Sequence, residues 1–198
     1  KWLVRLKNAR RRRADGVVVA EGVRLVEMAA EAGWGMRLCL VTAEAVREVR
    51  VQRIVARLTE FGCPLYEVTS EVYRKVSDTD TPQGILLAVE ERCADLAALA
   101  PQTDMLVVVL DGVQDPGNAG TIVRTADAAG ADAVLCLEDT IDVFCSKAVR
   151  ASMGSVFHVP IIRNVSCEAL RVFLQRGRVR LLAADLARAA QPYYAADY

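Results

Sequence analysis

The chain has 198 residues, 53% of them hydrophobic and 25% charged, and its 25 basic and 25 acidic side chains leave no net charge. This composition describes a soluble globular protein large enough to bury a core, with no apolar run near the roughly 20 residues of a membrane helix. The single histidine and the six scattered cysteines (Cys39, Cys63, Cys93, Cys136, Cys145, Cys167), with no C-x-x-C pair, argue against a zinc site and for reduced thiols.

The opening KWLVRLKNARRRR has no signal-peptide apolar region, so a cytoplasmic protein is expected. Residues 1–14 can form a helix, and 17–20 a short strand. An amphipathic helix follows to about Ala32, closed by Gly33. Residues 36–41 read as a strand, 43–61 as a helix, and 64–68 as a strand. Thr69 or Ser70 caps a short helix carrying Val72, Tyr73 and Val76. After the turn Ser77–Pro82, residues 84–89 form another buried strand. Strands alternating with helices over 90 residues make a compact α/β unit. Residues 90–104 change character, charged and then alanine-rich, and read as a linker in which residues 94–99 can form a short helix. The second unit repeats the alternation: strand 105–110, helix 118–129, strand 132–137, a short helix near 146–152, strand 155–159, helix 166–176 and strand 179–184. A largely parallel sheet with right-handed crossovers is expected there.

The charge is unevenly spread. Residues 1–13 hold seven basic side chains (Lys1, Arg5, Lys7, Arg10, Arg11, Arg12, Arg13) and no acid. The run reads either as a solvated terminus or as a phosphate-binding arm.

The stretch LVVVLDGVQDPGNAGTIVRT carries the strongest signal. A buried strand stops at Asp111-Gly112, and Asp115-Pro116-Gly117-Asn118 leads into a helix with Asn118 near its start and Arg124 further in. Ligands of open α/β sheets gather at such loops. The GNAG loop is G-x-x-G rather than G-x-G-x-x-G, so it reads as a glycine-rich helix-capping turn before a dinucleotide site. Asp111 and Asp115 read as turn or cap residues, having no third ligand beside them. His158, in a strand, reads as a satisfied sheet residue, and no G-x-S-x-G elbow supports a hydrolase. Arg124, among small apolar neighbours, needs a partner. Lys147 and Arg150 lie three apart on one helical face, followed by the small-residue turn Ser152–Ser155. With Arg124 and the basic start, they favour a polyanionic substrate.

At these residues the sequence resembles the SpoU (TrmH) branch of the SPOUT RNA methyltransferases. LDGVQDPGNAGTIVRTADAAGADAV matches that family's first motif, with Asn118, Gly120, Ile122, Arg124 and Ala126 in register. KAVRASMGSVFHVPI resembles the stretch that follows, with Lys147, Arg150, Ser152 and Gly154 matching. ADGVVVAEGVRLVEMA and VSDTDTPQGILLAV resemble the substrate-binding domain of the ribosomal-RNA members, which is similar to a ribosomal-protein RNA-binding fold.

The resemblance implies an α/β protein with an RNA-binding domain over 1–97, a linker over 98–104, and a parallel-sheet, knotted catalytic domain from 105. It implies methyl transfer from S-adenosylmethionine to a ribose 2′-hydroxyl, with ribosomal RNA favoured over tRNA, in a homodimer formed through the catalytic domain and without a metal. Arg124 would act on the reacting hydroxyl and Asn118 would brace the loop. Lys7, Arg10, Arg11, Arg12, Arg13, Lys147, Arg150 and Ser152 would contact RNA, and Ala183 and Ala184 would touch the cofactor marginally. Arginine stays protonated near neutral pH, so orienting the hydroxyl and stabilising its developing charge suits Arg124 better than accepting a proton. The family's second and third motifs, expected after Ala184, are not in the sequence. They build most of the cofactor pocket, so residues 1–198 alone are expected to bind the cofactor poorly and to be inactive. An inactive RNA-binding or ribosome-assembly protein is the alternative, and a nucleotide-dependent oxidoreductase is a third.

Overall fold

The computed structural model describes residues 1–102, 104–184 and 190–195. Among them, no helix is long and apolar enough to cross a membrane.

The basic opening is ordered into two helices, α1 (Trp2–Leu6) and α2 (Ala9–Asp15), rather than the single helix expected. Asn8 explains the break: its backbone is extended and its side chain accepts the Arg11 N–H at 3.2 Å, capping α2. Gly16, in the left-handed conformation, ends α2.

The chain continues through β1 (Val17–Glu21), α3 (Val23–Glu31), β2 (Met36–Thr42), α4 (Val49–Glu60), β3 (Leu65–Val68), α5 (Ser70–Val76) and β4 (Ile85–Glu90). The expected helix over 43–61 is divided. A 3-10 turn (Ala45–Arg47) precedes α4, because Thr42 Oγ1 takes the Ala45 N–H and Glu48 is extended. The sheet order is β1-β4-β2-β3, with β4 antiparallel to both neighbours and β2 parallel to β3. Five successive buried residues, Ile85 to Val89, suit the inner position of β4.

The second sheet is wholly parallel: β5 (Val107–Leu110), β6 (Ala133–Leu137) and β7 (Ile161–Val165), in that order. Helices α6 (Pro116–Ala128), α7 (Ser146–Ala151) and α8 (Cys167–Gly177) connect and flank it. All five residues of β6 are buried, as a central parallel strand requires.

Two expected strands are not formed. Residues 155–157 make a 3-10 turn, because Met153 and Gly154 have positive φ (54° and 99°) and turn the chain before β7. Residues 179–184 carry an apolar pattern but pair with no strand among the described residues, and Leu181 and Leu182 are exposed. A strand pattern becomes a strand only against a partner edge.

One apolar core joins the two sheets. Trp34, after α3, meets Phe144 and Phe157 of the second unit edge-on, with centroids 6.0 and 5.2 Å away.

Candidate functional site

The site is built around α6, which begins just beyond the C-terminal end of β5. Asp115 caps it, its carboxylate accepting the Asn118 N–H at 2.8 Å, and Pro116 stands at the first helical turn, where its missing N–H costs nothing. Lys147 Nζ reaches the same carboxylate at 3.3 Å. The Asn118 N–H holds the Asp115 carboxyl below its ordinary range, with burial opposing it and Lys147 adding to the lowering. Asp115 is therefore a cap that ties α6 to α7. The Asn118 side chain is exposed.

Gly120 sets how closely the two helices approach. A Cβ there would lie 2.3 Å from the Ala148 carbonyl oxygen, 2.7 Å from Ala151 Cβ and 2.9 Å from the Ser152 nitrogen. The GNAG sequence is thus not a capping turn: its second glycine lies inside α6 and serves as a contact point. One turn on, Arg124 is exposed and makes no ion pair among the described residues. The described residues thus leave the partner it needs to be supplied from outside them.

Lys147 and Arg150 diverge, although both are on α7. Lys147 leans to Asp115, whereas Arg150 faces the first unit, beside Glu21, Thr79 and Thr81. Ser152 does not present its hydroxyl to RNA. It is fully buried, donating to the Val149 carbonyl at 2.8 Å and accepting the Gly154 N–H at 3.3 Å, and so closes α7.

The N-terminal cations also separate. Arg10 and Arg11 are exposed. Lys7 pairs with Asp78 at 3.3 Å and donates to the Ser77 carbonyl. Arg12 is not part of a solvated arm: it is 4% exposed and its guanidinium meets Asp142 at 2.5 Å. The same carboxylate takes Arg13 at 3.3 Å and Arg163 of β7 at 3.3 Å, and Arg163 also pairs with Glu91. Burial pushes the Asp142 carboxyl up, but Arg12 and its other donors outweigh this and hold it below the ordinary value. Asp142 also accepts the Phe144 N–H at 3.0 Å, just before α7. This network, invisible as a motif, fixes α2 against the segment that launches α7. Its sequence signal was a lone aspartate among apolar residues in TIDVF.

His158 is exposed rather than seated in a strand, with Nδ1 3.8 Å from Asp127. Burial raises the thiols of Cys39 and Cys136 to about 12, so they stay protonated and inert near neutrality. Among the described residues, no group of three or more His, Cys, Asp or Glu could hold a metal. Ala183 and Ala184 are exposed and in neither helix nor strand.

Residues 105–198 match the SpoU rRNA methylase family and residues 1–87 match the MRM3-like substrate-binding domain. The second unit, residues 105–198, is thus a SpoU rRNA methylase family domain. A relative from Bacillus subtilis, named 23S rRNA (guanosine(2553)-2′-O)-methyltransferase RlmP, is 36% identical over 160 residues, covering 81% of this chain and 59% of its own length. A human relative, named mitochondrial rRNA methyltransferase 3, is 31% identical over 169 residues, covering 82% of this chain and 39% of its own. The chain thus spans about three fifths, or less, of these relatives. An AdoMet-bound rRNA methyltransferase from Sinorhizobium meliloti superimposes with a TM-score of 0.79 at 33% identity, over 89% of this chain and 64% of that one. The AviRb SpoU methyltransferase of Streptomyces viridochromogenes, solved with AdoMet, also reaches 0.79, at 26% identity, over 89% of this chain and 66% of its own. Within the SpoU family match, α6 carries Asn118 and Arg124, and α7 carries Lys147 and Arg150.

Proposed function

We propose that the whole protein methylates a ribose 2′-hydroxyl of RNA, with S-adenosylmethionine as donor and 23S-type ribosomal RNA as substrate. The observation that carries this is Arg124: an exposed guanidinium with no ion pair among the described residues, on the helix where the family's first motif falls. The names of the Bacillus and Streptomyces relatives, both 23S rRNA 2′-O-methyltransferases, support the substrate and the atom.

The chain's own residues account for the handling of the hydroxyl. Arginine remains protonated near neutrality, so Arg124 serves as a donor and not as a base. Its planar fork can hold the 2′-oxygen and a neighbouring phosphate oxygen together, and it stabilises charge as the hydroxyl loses its proton. Asn118 lies at the start of the same rigid helix, whose position is set by Asp115, Lys147 and Gly120. Lys147, Arg150, Arg10 and Arg11 add cationic groups for the phosphates. S-adenosylmethionine supplies an electrophilic methyl group when bound.

Residues 1–97 would dock the RNA and residues 105–198 contribute to the chemistry, joined by 98–104. A homodimer formed through the second unit belongs to the same proposal and rests on the family resemblance. The test is transfer of labelled methyl from S-adenosylmethionine to unmodified rRNA by the whole protein. Transfer that is lost on Arg124→Ala supports the proposal, and transfer undiminished in that variant refutes the role of Arg124.

A further inference from the structure

A cleft of about 270 Å³ lies between the two units, beside the C-terminal end of α7. Arg24, Thr79, Thr81 and Gln83 line it from the first unit, and Arg150 and Met153 from the second. That is just under the roughly 300 to 1,000 Å³ of small-molecule sites, room for no more than a single nucleotide.

Its chemistry is unbalanced in favour of an anion. Arg150 Nη1 is sealed from solvent with no hydrogen-bond partner, and such orphaned donors are rare in folded proteins. Arg24, on the first turn of α3, is exposed and makes no ion pair among the described residues. The one carboxylate that lines it, Glu21, is already engaged by the Ser77 hydroxyl, the Thr79 hydroxyl at 3.0 Å and the Asp78 N–H at 2.9 Å, and the neighbouring Asp78 is held by Lys7 and Ser146. The Gln83 carbonyl oxygen accepts the Val23 N–H at 2.8 Å, which leaves its amide N–H groups as donors.

The apolar wall is held under strain. Met153 has φ 54°, a conformation that costs a long side chain energy, and persists where its surroundings impose it. The turn lies close against α3: a Cβ on Gly154 would lie 2.5 Å from Met28 Sδ.

We propose that this cleft is an RNA subsite, binding one nucleotide of the substrate strand away from the reacting ribose. Arg24 and Arg150 hold its phosphodiester, Thr81 and Gln83 meet polar edges of base or ribose, and Met153 lies against the base. The inference rests on the proposal that RNA is the substrate, and it assigns Arg24 a role in holding that RNA.

The experiment compares Arg24→Ala, Arg24→Lys and a control, Arg53→Ala, which removes one exposed charge from α4, in the whole protein with unmodified rRNA fragments. RNA affinity is measured across a salt series, with kcat and KM for methyl transfer. Arg24→Ala is expected to weaken binding roughly tenfold and flatten the log–log salt slope by about 0.7, one single-strand phosphate contact. KM should rise with kcat unchanged, because the subsite lies away from the reacting atoms. Arg24→Lys should restore the slope but only part of the affinity, keeping the charge and losing the fork. Arg53→Ala should change neither. Arg24→Ala behaving like Arg53→Ala, while Arg124→Ala still abolishes transfer, overturns the subsite and leaves the function standing. Failure of the unaltered protein to bind or methylate RNA overturns both.

Discussion

Replacing Asp142 by asparagine removes the one carboxylate that joins α2, the segment before α7, and β7. Its side chain is 3% exposed and that of Arg12 is 4% exposed, so solvent screens their contact little. After the change, Arg163 keeps Glu91, but Arg12 loses its counter-charge and keeps the Leu6 carbonyl at 3.4 Å and at most a neutral amide oxygen, and its Nε has no partner even now. An uncompensated buried cation costs about 3–5 kcal/mol. For a chain of this size that corresponds to a fall in melting temperature of roughly 6–20 °C. Arg13 shares the same oxygen at 3.3 Å but is half exposed, so Arg13→Ala should cost less than about 1 kcal/mol. Arg12→Met combined with Asp142→Asn should be more stable than Asp142→Asn alone, because the stranded cation is gone. Urea unfolding of these three variants and of Arg12→Met alone measures these differences. A loss below about 1 kcal/mol for Asp142→Asn, or strict additivity in the double variant, would refute the reasoning.

The same carboxyl predicts an acid limb. Its folded pKa lies below the unfolded value of about 3.9, so its stabilisation is complete above that pH and fades as pH falls through the folded value. The stability gap between unaltered protein and Asp142→Asn should therefore stay constant from neutrality to about pH 4 and narrow only below it; a gap that closes near pH 6 contradicts this. Gly120→Ala sets a methyl 2.3 Å from the Ala148 carbonyl oxygen and should destabilise by about 1–3 kcal/mol, read by thermal melting, while lowering methyl transfer. Arg124→Lys should fold normally, since the residue is exposed, yet lose most of kcat, because lysine keeps the charge without the fork; full activity would refute the role given to that geometry.

Local patterns carried far in this chain. The apolar run of β5, the Asp-Pro-Gly-Asn turn and the small residues of α6 lie within about twenty positions, and the strand and helix formed close to where they were expected, with the helix starting two residues early at Pro116 under the Asp115 cap. What could not be read depends on distant partners. Arg12 looks like its three neighbours in sequence, and becomes a strut only because Asp142, 130 residues away, reaches it. Gly120 looks like a turn glycine until α7 is seen lying against it. Ser152 matched the motif of a binding residue, yet its neighbours consume both hydrogen bonds of its hydroxyl. Residues 179–184 have the composition of a strand without a paired edge among the described residues.

The central claim concerns one atom, and alkaline hydrolysis of the labelled product tests it most directly. After the whole protein has acted on unmodified rRNA with labelled S-adenosylmethionine, a 2′-O-methyl group blocks attack of that oxygen on the adjoining phosphate. The account predicts label in an alkali-resistant dinucleotide. Label recovered on a base within single nucleotides would contradict the ribose assignment, and RNA that is bound but never labelled would contradict the enzyme.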